Sequence, residues 1–267
     1  MSRLSHPRSL CSLFGVFLQL LALDGQLPWK LDSYRWKKHS KVVLSPLQSL
    51  IVWPVMRSLD EKIQWAGRVA AVQPRIRLTR SFDERSHTYQ GYVLRVQGTL
   101  GKVSGEFLVA VGSAAHVKHQ FRVGDEVQGI GHPVVDPRME TAEIYKVSGL
   151  KVLTRTGGEK QEGPPWSGVP PSLQVYRVRG HRRLAARTYE TKCQGCIWGC
   201  NMAVEMIIDH WNPHVRRYRT ETFCYGPLSC PFYKSGSTRK VPGRQGMTYE
   251  EENWVDEETT SHRHPDE

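Results

Sequence analysis

The 267-residue chain has no apolar run long enough to cross a bilayer as a helix. Its longest such stretch, Leu10 to Leu23, is about 14 residues, short of the ~20 that a span requires, which excludes a stable membrane-spanning helix there. There is no phosphate-cradling Gly-Lys-Ser loop and no Gly-x-Gly-x-x-Gly turn, so the common nucleotide-binding loops are excluded. No internal repeat is visible, which sets solenoids and propellers aside. Acids are sparse as pairs in the body, and no Ser, His and Asp group as a triad, so the chain reads as a binder more than an enzyme. Cysteine is absent outside one cluster, Cys11 apart. An odd cluster of five argues against a simple disulfide ladder, and thiols gathered in this way point to metal in a reducing, cytoplasmic setting.

Apolar residues make up 39% and charged residues 24%, enough for a packed core. Lys and Arg number 37 against 26 Asp and Glu, a net +11. Residues 250–267 hold eight acids against Arg263 alone, so that end carries −7 and residues 1–249 carry +18. A body of that sign attracts phosphate backbones or acidic partners. The acidic end reads as a solvated, disordered tail.

Residues 1–55 differ from the rest. Leu10 to Leu23 behind Arg3 and Arg8 has the length of a signal-peptide core, but Ala22-Leu23-Asp24-Gly25 is a poor cleavage site. The segment reads as a poorly ordered or spurious extension, with Met56 as a clean beginning and a secretory or anchoring role as the alternative. From Trp65 to Leu153 the pattern turns to short β-type runs between Gly and Pro: Trp65 to Val72, Arg75 to Arg80, Tyr89 to Gln97, Glu106 to Val111, Glu126 to Ile130 and Ile144 to Leu153. Ala114 to Gln120 predicts one short helical turn. The expected fold is mainly β, a small closed or nearly closed barrel over residues 56–155.

The order of runs, and above all Phe121-Arg122-Val123-Gly124-Asp125-Glu126-Val127-Gln128-Gly129-Ile130-Gly131, resembles the region of an OB-fold where a short helix leads through a Gly-Asp turn into the fourth strand. The resemblance is at superfold level over about a third of the chain, and it implies a barrel whose open face binds single-stranded nucleic acid or another protein. Single strands need cations for phosphates and rings for bases. Arg75, Arg77 and Tyr89 are the candidates on the barrel, since alternate strand residues share a face. The competing reading has the arginines merely solvated while Trp65, Tyr92 and Phe107 fill the interior.

Residues 156–172, rich in Gly and Pro, predict a linker, and a basic Cys-rich module follows over 173–249. Leu173 to Arg179 alternates apolar and polar residues. Cys193, Cys196, Cys200, Cys224 and Cys230 are the metal candidates. A Cys-x-x-Cys turn lets two thiolates reach one ion, and Cys193, Cys196, Cys224 and Cys230 make a tetrahedral zinc set that leaves Cys200 over. If residues 193–200 are helical, Cys193, Cys196 and Cys200 share a side, which suits a 4Fe-4S cluster instead. His210 and His214 are alternative ligands. Met202 to Trp211 predicts a helix, capped by Asn201 and burying Val204, Ile207, Ile208 and Trp211. Arg182, Arg183, Arg216, Arg217, Tyr218 and Arg219 complete a second phosphate-and-base surface. The sequence therefore predicts a single-stranded DNA- or RNA-binding protein joining a barrel to a zinc module, with an iron-sulfur redox or sensing protein and a protein-interaction adaptor as alternatives.

Overall fold

The structure is a computed structural model that describes residues 61–156, 163–251, 253–264 and 266. The expectations for residues 1–55, including Cys11, and for Met56 lie outside the described residues. The chain is mainly β, as its Val-, Ile- and Tyr-rich runs predict. Five strands carry the first half: β1 (Ile63–Arg80), β2 (Arg85–Leu100), β3 (Val103–Val111), β4 (Glu126–Pro133) and β5 (Ile144–Thr154). β1 pairs with both β2 and β4, β4 with β5, β5 with β3 and β3 with β2, so the five strands close into a barrel-like ring. The short helix α1 (Ser113–His119) lies between β3 and β4, where the sequence predicts it.

Two runs expected as separate strands are one, because Gln73 and Pro74 do not interrupt β1. Pro74 is tolerated because β4 pairs only with Ile63–Arg68 and the next strand on that side joins only at Arg77, so the missing N–H faces no ladder. Gly98 sits where β1 and β2 approach closely: a Cβ there would stand 2.1 Å from the Ala66 carbonyl oxygen. Inside the ring Trp65, Tyr92 and Phe107 are buried, Trp65 meeting Phe107 edge-on at 6.3 Å between centroids. Burying side chains of this size supplies about 1.5–3 kcal/mol each.

Three more elements of the sheet come from the second half. β7 (Gly199–Ile207) runs parallel to β1, pairing Arg77–Arg80 with Ala203–Met206; β8 (Arg216–Cys224) lies antiparallel on β7, and the two-residue β6 (Arg182–Arg183) closes the edge. The eight strands form one sheet, so the Gly/Pro segment does not divide the chain into separate sheets there. Met202, Val204 and Phe223 belong to the same buried cluster as Val72, Leu94 and Phe107. From Gly163 the chain packs down: the Pro171 carbonyl accepts from Tyr92 Oη at 2.7 Å, and the Trp166 carbonyl from the Ile197 amide at 3.0 Å.

Three local expectations are corrected. Met202 to Trp211 is not a helix; most of it is β7, whose run Met202–Met206 is buried on both faces, and Asn201 pairs with Thr222 instead of capping anything. A continuous apolar run fits a doubly covered strand as well as a helix, and periodicity alone does not decide between them. Trp211, placed in the core by the helical reading, is 82% exposed in the turn after β7. Leu173 to Arg179, read as an alternating run, is the helix α2 (Leu173–Arg179) with Tyr176 buried. The described residues of the acidic end form regular elements: β9 (Arg239–Pro242) pairs with β10 (Thr248–Glu251), and helix α4 (Trp254–Thr260) follows. Asp256 there is buried and answers Arg183, the charge pair that pins the end of the chain.

Candidate metal centre and the groove beside it

The Cys-rich loop begins in a short helix, α3 (Ala186–Thr188), that passes into a π-helical turn over Tyr189–Cys193. The Cys196 amide donates back to the Cys193 carbonyl at 3.1 Å and the Gly199 amide to the Cys196 carbonyl at 3.1 Å, so the chain folds tightly around the first pair. The second pair forms a matching loop: Cys230 N–H donates to the Pro227 carbonyl at 3.2 Å and Tyr233 N–H to the Cys230 carbonyl at 3.1 Å. β-pairing brings the two loops together, since Gly199 lies directly opposite Cys224 across β7 and β8.

Cys193, Cys196, Cys224 and Cys230 line one small cavity with Trp166, Trp198 and Tyr233, and its volume of about 10 Å³ is close to the least that admits a single water-sized body. All five described cysteines are free thiols. Among the described residues no three His, Cys, Asp or Glu side chains are already gathered as a metal-holding group; the four thiols wall one cavity without closing on a common point. The donor set suits a thiophilic ion, and a tetrahedral four-thiolate site is fully closed, with no open position for water. The Gly226 amide points to Cys224 Sγ at 3.4 Å, the outer hydrogen bond that orients a thiolate.

Burial, then the neighbouring Cys196, Cys224 and Cys230 sulfurs, push the Cys193 thiol up to about 12. Burial likewise pushes Cys196 up to about 11 and raises Cys224. Without a cation among them these sulfurs keep their protons, whereas a bound divalent ion inverts that balance and deprotonates its thiols outright.

Cys200 stands apart. It is opposite Phe223, one residue out of phase with the Gly199–Cys224 pair, so strand alternation turns it to the other face. There it is fully buried in the barrel-side cluster, with Sγ donating to the Pro74 carbonyl at 3.3 Å. The helical turn that would align Cys193, Cys196 and Cys200 does not form. His210 pairs with Asp83 at 3.1 Å, and neither it nor His214 lines the cavity.

A residue not singled out in the sequence ties the loop to the barrel. Gln73 of β1 is buried, its amide nitrogen donating to the carbonyls of both Cys193 and Cys196 at 2.9 Å, while its oxygen accepts from Tyr189 Oη at 2.7 Å. Gly199 leaves room for this clamp, because a Cβ there would lie 2.6 Å from the Cys193 carbonyl oxygen and 2.8 Å from Gln73 Nε2. A lone polar residue inside an apolar run is the signal that marks it. Gln73→Leu keeps the volume but strands three buried partners, at about 1–3 kcal/mol for each one left unsatisfied. The expected result is release of metal to a chromophoric chelator at least about tenfold faster than wild type; an unchanged release rate removes Gln73 from the centre's support.

The basic candidates are for the most part committed within the protein. Arg75 is paired with Glu140, and Arg77 donates to the Met139 carbonyl at 2.8 Å. Arg177 covers the Tyr89 ring at 4.9 Å. Arg182 lies over Tyr233 at 3.7 Å and reaches the Pro227 carbonyl at 2.9 Å. Arg183 is fully buried, so it is no surface cation: its Nε meets Asp256 at 2.9 Å and its Nη1 the Glu251 carbonyl at 3.0 Å. Arg216 is paired with Glu205, Tyr218 lies under Arg138 at 5.3 Å, and Arg217 is exposed.

Arg219 belongs instead to a groove of about 630 Å³ between β2, β7, β8 and the segment 236–240. Its cationic wall is Arg95, Arg219, Arg239 and Lys240, with Glu190 and Glu221 also present. Tyr189, held by Gln73, lines the same groove with Gln194 of the Cys loop, and Leu184 lines both the groove and the thiol cavity. No protein-family model matches this chain, and no curated protein or solved structure matches it either.

Proposed function

We propose that this protein binds single-stranded DNA or RNA, using an OB-like barrel stabilised by a structural zinc module. What carries the reading is one juxtaposition: a small cavity walled by four thiols and, sharing Leu184 with it, an open groove edged by four cationic side chains. The ring order β1-β2-β3-β5-β4, with a parallel contact between Val109 of β3 and Ile144 of β5, supports the OB-like assignment. The charge of +18 on residues 1–249 supports a polyanionic ligand. Cys193, Cys196, Cys224 and Cys230 hold the zinc, which when bound neutralises the four thiolates and fixes the two loops; Cys200 on the other face favours zinc over a cluster that needs it.

Retention on single-stranded oligonucleotides tests the ligand. Each phosphate neutralised contributes about −0.7 to the slope of log affinity against log salt, so three or four engaged cations give about −2 to −3. Failure to bind oligothymidine or oligouridine at low salt, or binding with no salt dependence, would contradict the reading. Among the described residues no helix is long and apolar enough to cross a membrane.

A further inference from the structure

We infer that the groove between β8 and the segment 236–240 is a phosphate-ester site, the place where this protein holds the sugar-phosphate moiety of its ligand. The proposal deepens the nucleic-acid reading and rests on it only for the polymeric source of the phosphate.

Behind the groove wall, Glu221 is shared by three guanidiniums, Arg80 at 3.5 Å, Arg239 at 2.6 Å and Arg219 at hydrogen-bond distance. Glu251 takes Arg80 at 2.8 Å and Arg85 at 3.0 Å, and Asp256 takes Arg183 at 2.9 Å. Five arginines thus lean on three carboxylates in a largely buried cluster, a local excess of cation. Burying charge without full compensation is unfavourable, and an anion at the open side relieves it.

The groove supplies that open side. Arg219 and Arg239 belong to both the cluster and the groove wall, and Lys240 adds an exposed ammonium at the rim. Arg219 Nη2 is buried and, among the described residues, has no hydrogen-bond partner. Thr220, Ser237 and Asn201 add neutral hydroxyl and amide groups, the companions that phosphate oxygens and ribose hydroxyls use. The groove's volume of about 630 Å³ falls within the range of about 300–1,000 Å³ typical of small-molecule sites. Glu190 and Glu221 work against an anion; Glu221 is already screened by its three arginines, and Glu190 lies on an exposed turn.

Two surroundings agree with this field. His181 is buried between Phe223 and Tyr225 beside His87, with 4.6 Å between the two imidazole centroids, and burial followed by the nearby cations drives both rings to stay neutral. Arg75, Arg77 and Arg216 are turned toward Glu140, the Met139 carbonyl and Glu205, whereas Lys240 is exposed and Arg219 Nη2 has no hydrogen-bond partner among the described residues.

The test uses the full-length protein, fluorescein-labelled oligothymidine read by anisotropy, and a nucleoside triphosphate read by calorimetry. Lys240→Glu changes an exposed side chain and leaves the fold intact; Arg219→Gln is the second variant, and Lys102→Ala, exposed in the β2–β3 turn outside the groove, is the control. Lys240→Glu is expected to weaken the oligonucleotide about tenfold or more, and Lys102→Ala by less than about twofold. If only the nucleoside triphosphate binds, and Lys240→Glu weakens it, the groove stands as a phosphate-ester site while the nucleic-acid function falls. If the oligonucleotide binds wild type, Lys240→Glu and Arg219→Gln alike, the groove assignment is overturned and the function survives elsewhere on the surface. If neither probe binds wild type, both are overturned.

Discussion

Cys224→Ser is expected to empty the metal centre and to unfold the half of the protein built around β7 and β8. Apparent folding free energies of structural zinc sites are about 10–16 kcal/mol at neutral pH, whereas a whole domain is stable by about 5–15 kcal/mol. The pocket itself rests on a small cluster, Leu184, Tyr189, Cys193, Cys196 and Cys224, with Trp166, Trp198 and Tyr233 packed against it. Because Ala203–Met206 of β7 pair with Arg77–Arg80 of β1, the loss reaches the far end of the barrel as well. The barrel-only survival that two independent modules would allow is not expected. Cys200→Ser supplies the contrast. Its sulfur already donates to the Pro74 carbonyl, so a hydroxyl finds the same acceptor, and the variant retains its metal with a stability loss of no more than about 1–3 kcal/mol. Metal content and thermal unfolding of the two variants, side by side, check this; equal behaviour of Cys200→Ser and Cys224→Ser would remove the four-thiol assignment.

Asp256→Ala is expected to cost about 3–5 kcal/mol, because it leaves the fully buried Arg183 guanidinium without its carboxylate. In the intact protein that guanidinium is well served: Asp256 Oδ2 at 2.9 Å, the Glu251 carbonyl at 3.0 Å and Asn253 Oδ1 at 2.6 Å, while Asp256 Oδ1 also accepts from the Arg183 amide at 3.1 Å. For a unit of this size a loss of that order lowers the melting temperature by about 10 °C. Deleting the chain after Glu251 has the same effect, since it removes Asp256 and Asn253 together. A denaturation midpoint unchanged by the deletion would mean that the acidic end is the solvated tail its composition implies, and the Arg183–Asp256 pair would lose its place in the account.

The barrel was legible because its strands have the β-branched and aromatic residues and the Gly-Pro punctuation that a half-buried sheet imposes. Trp65, Tyr92 and Phe107 are interior, as the competing reading of the barrel had them. What misled was burial on two faces. In β7 the neighbours are β1 on one side and β8 on the other, with side chains covered above and below, so Met202 to Ile208 shows no period of two and its apolar run reads as a helix. The acidic end misled for a different reason. Eight acids in eighteen residues signal solvation on average, and nothing local reveals that one of them, Asp256, meets an arginine 73 positions earlier.

The four-thiol cavity was legible as a residue set but not as a geometry. Spacing alone left Cys200 open as a ligand, and only the β7–β8 register, which puts Gly199 and not Cys200 opposite Cys224, separates it from the other four. The arginines were legible as charge and illegible as surface, because a count of cations does not tell which ones meet Glu140, Glu205, Glu221 or Asp256 inside the fold. Gln73 escaped notice since its partners, the carbonyls of Cys193 and Cys196, lie 120 and 123 residues away.

Elemental analysis of natively folded protein, purified without chelators and under argon, bears most directly on the four-thiol centre. The account predicts about one zinc per chain in colourless material, lost together with the structure of the Cys-rich half when a strong chelator is added. Natively folded protein that carries neither zinc nor iron, and whose melting is indifferent to the chelator, would contradict it.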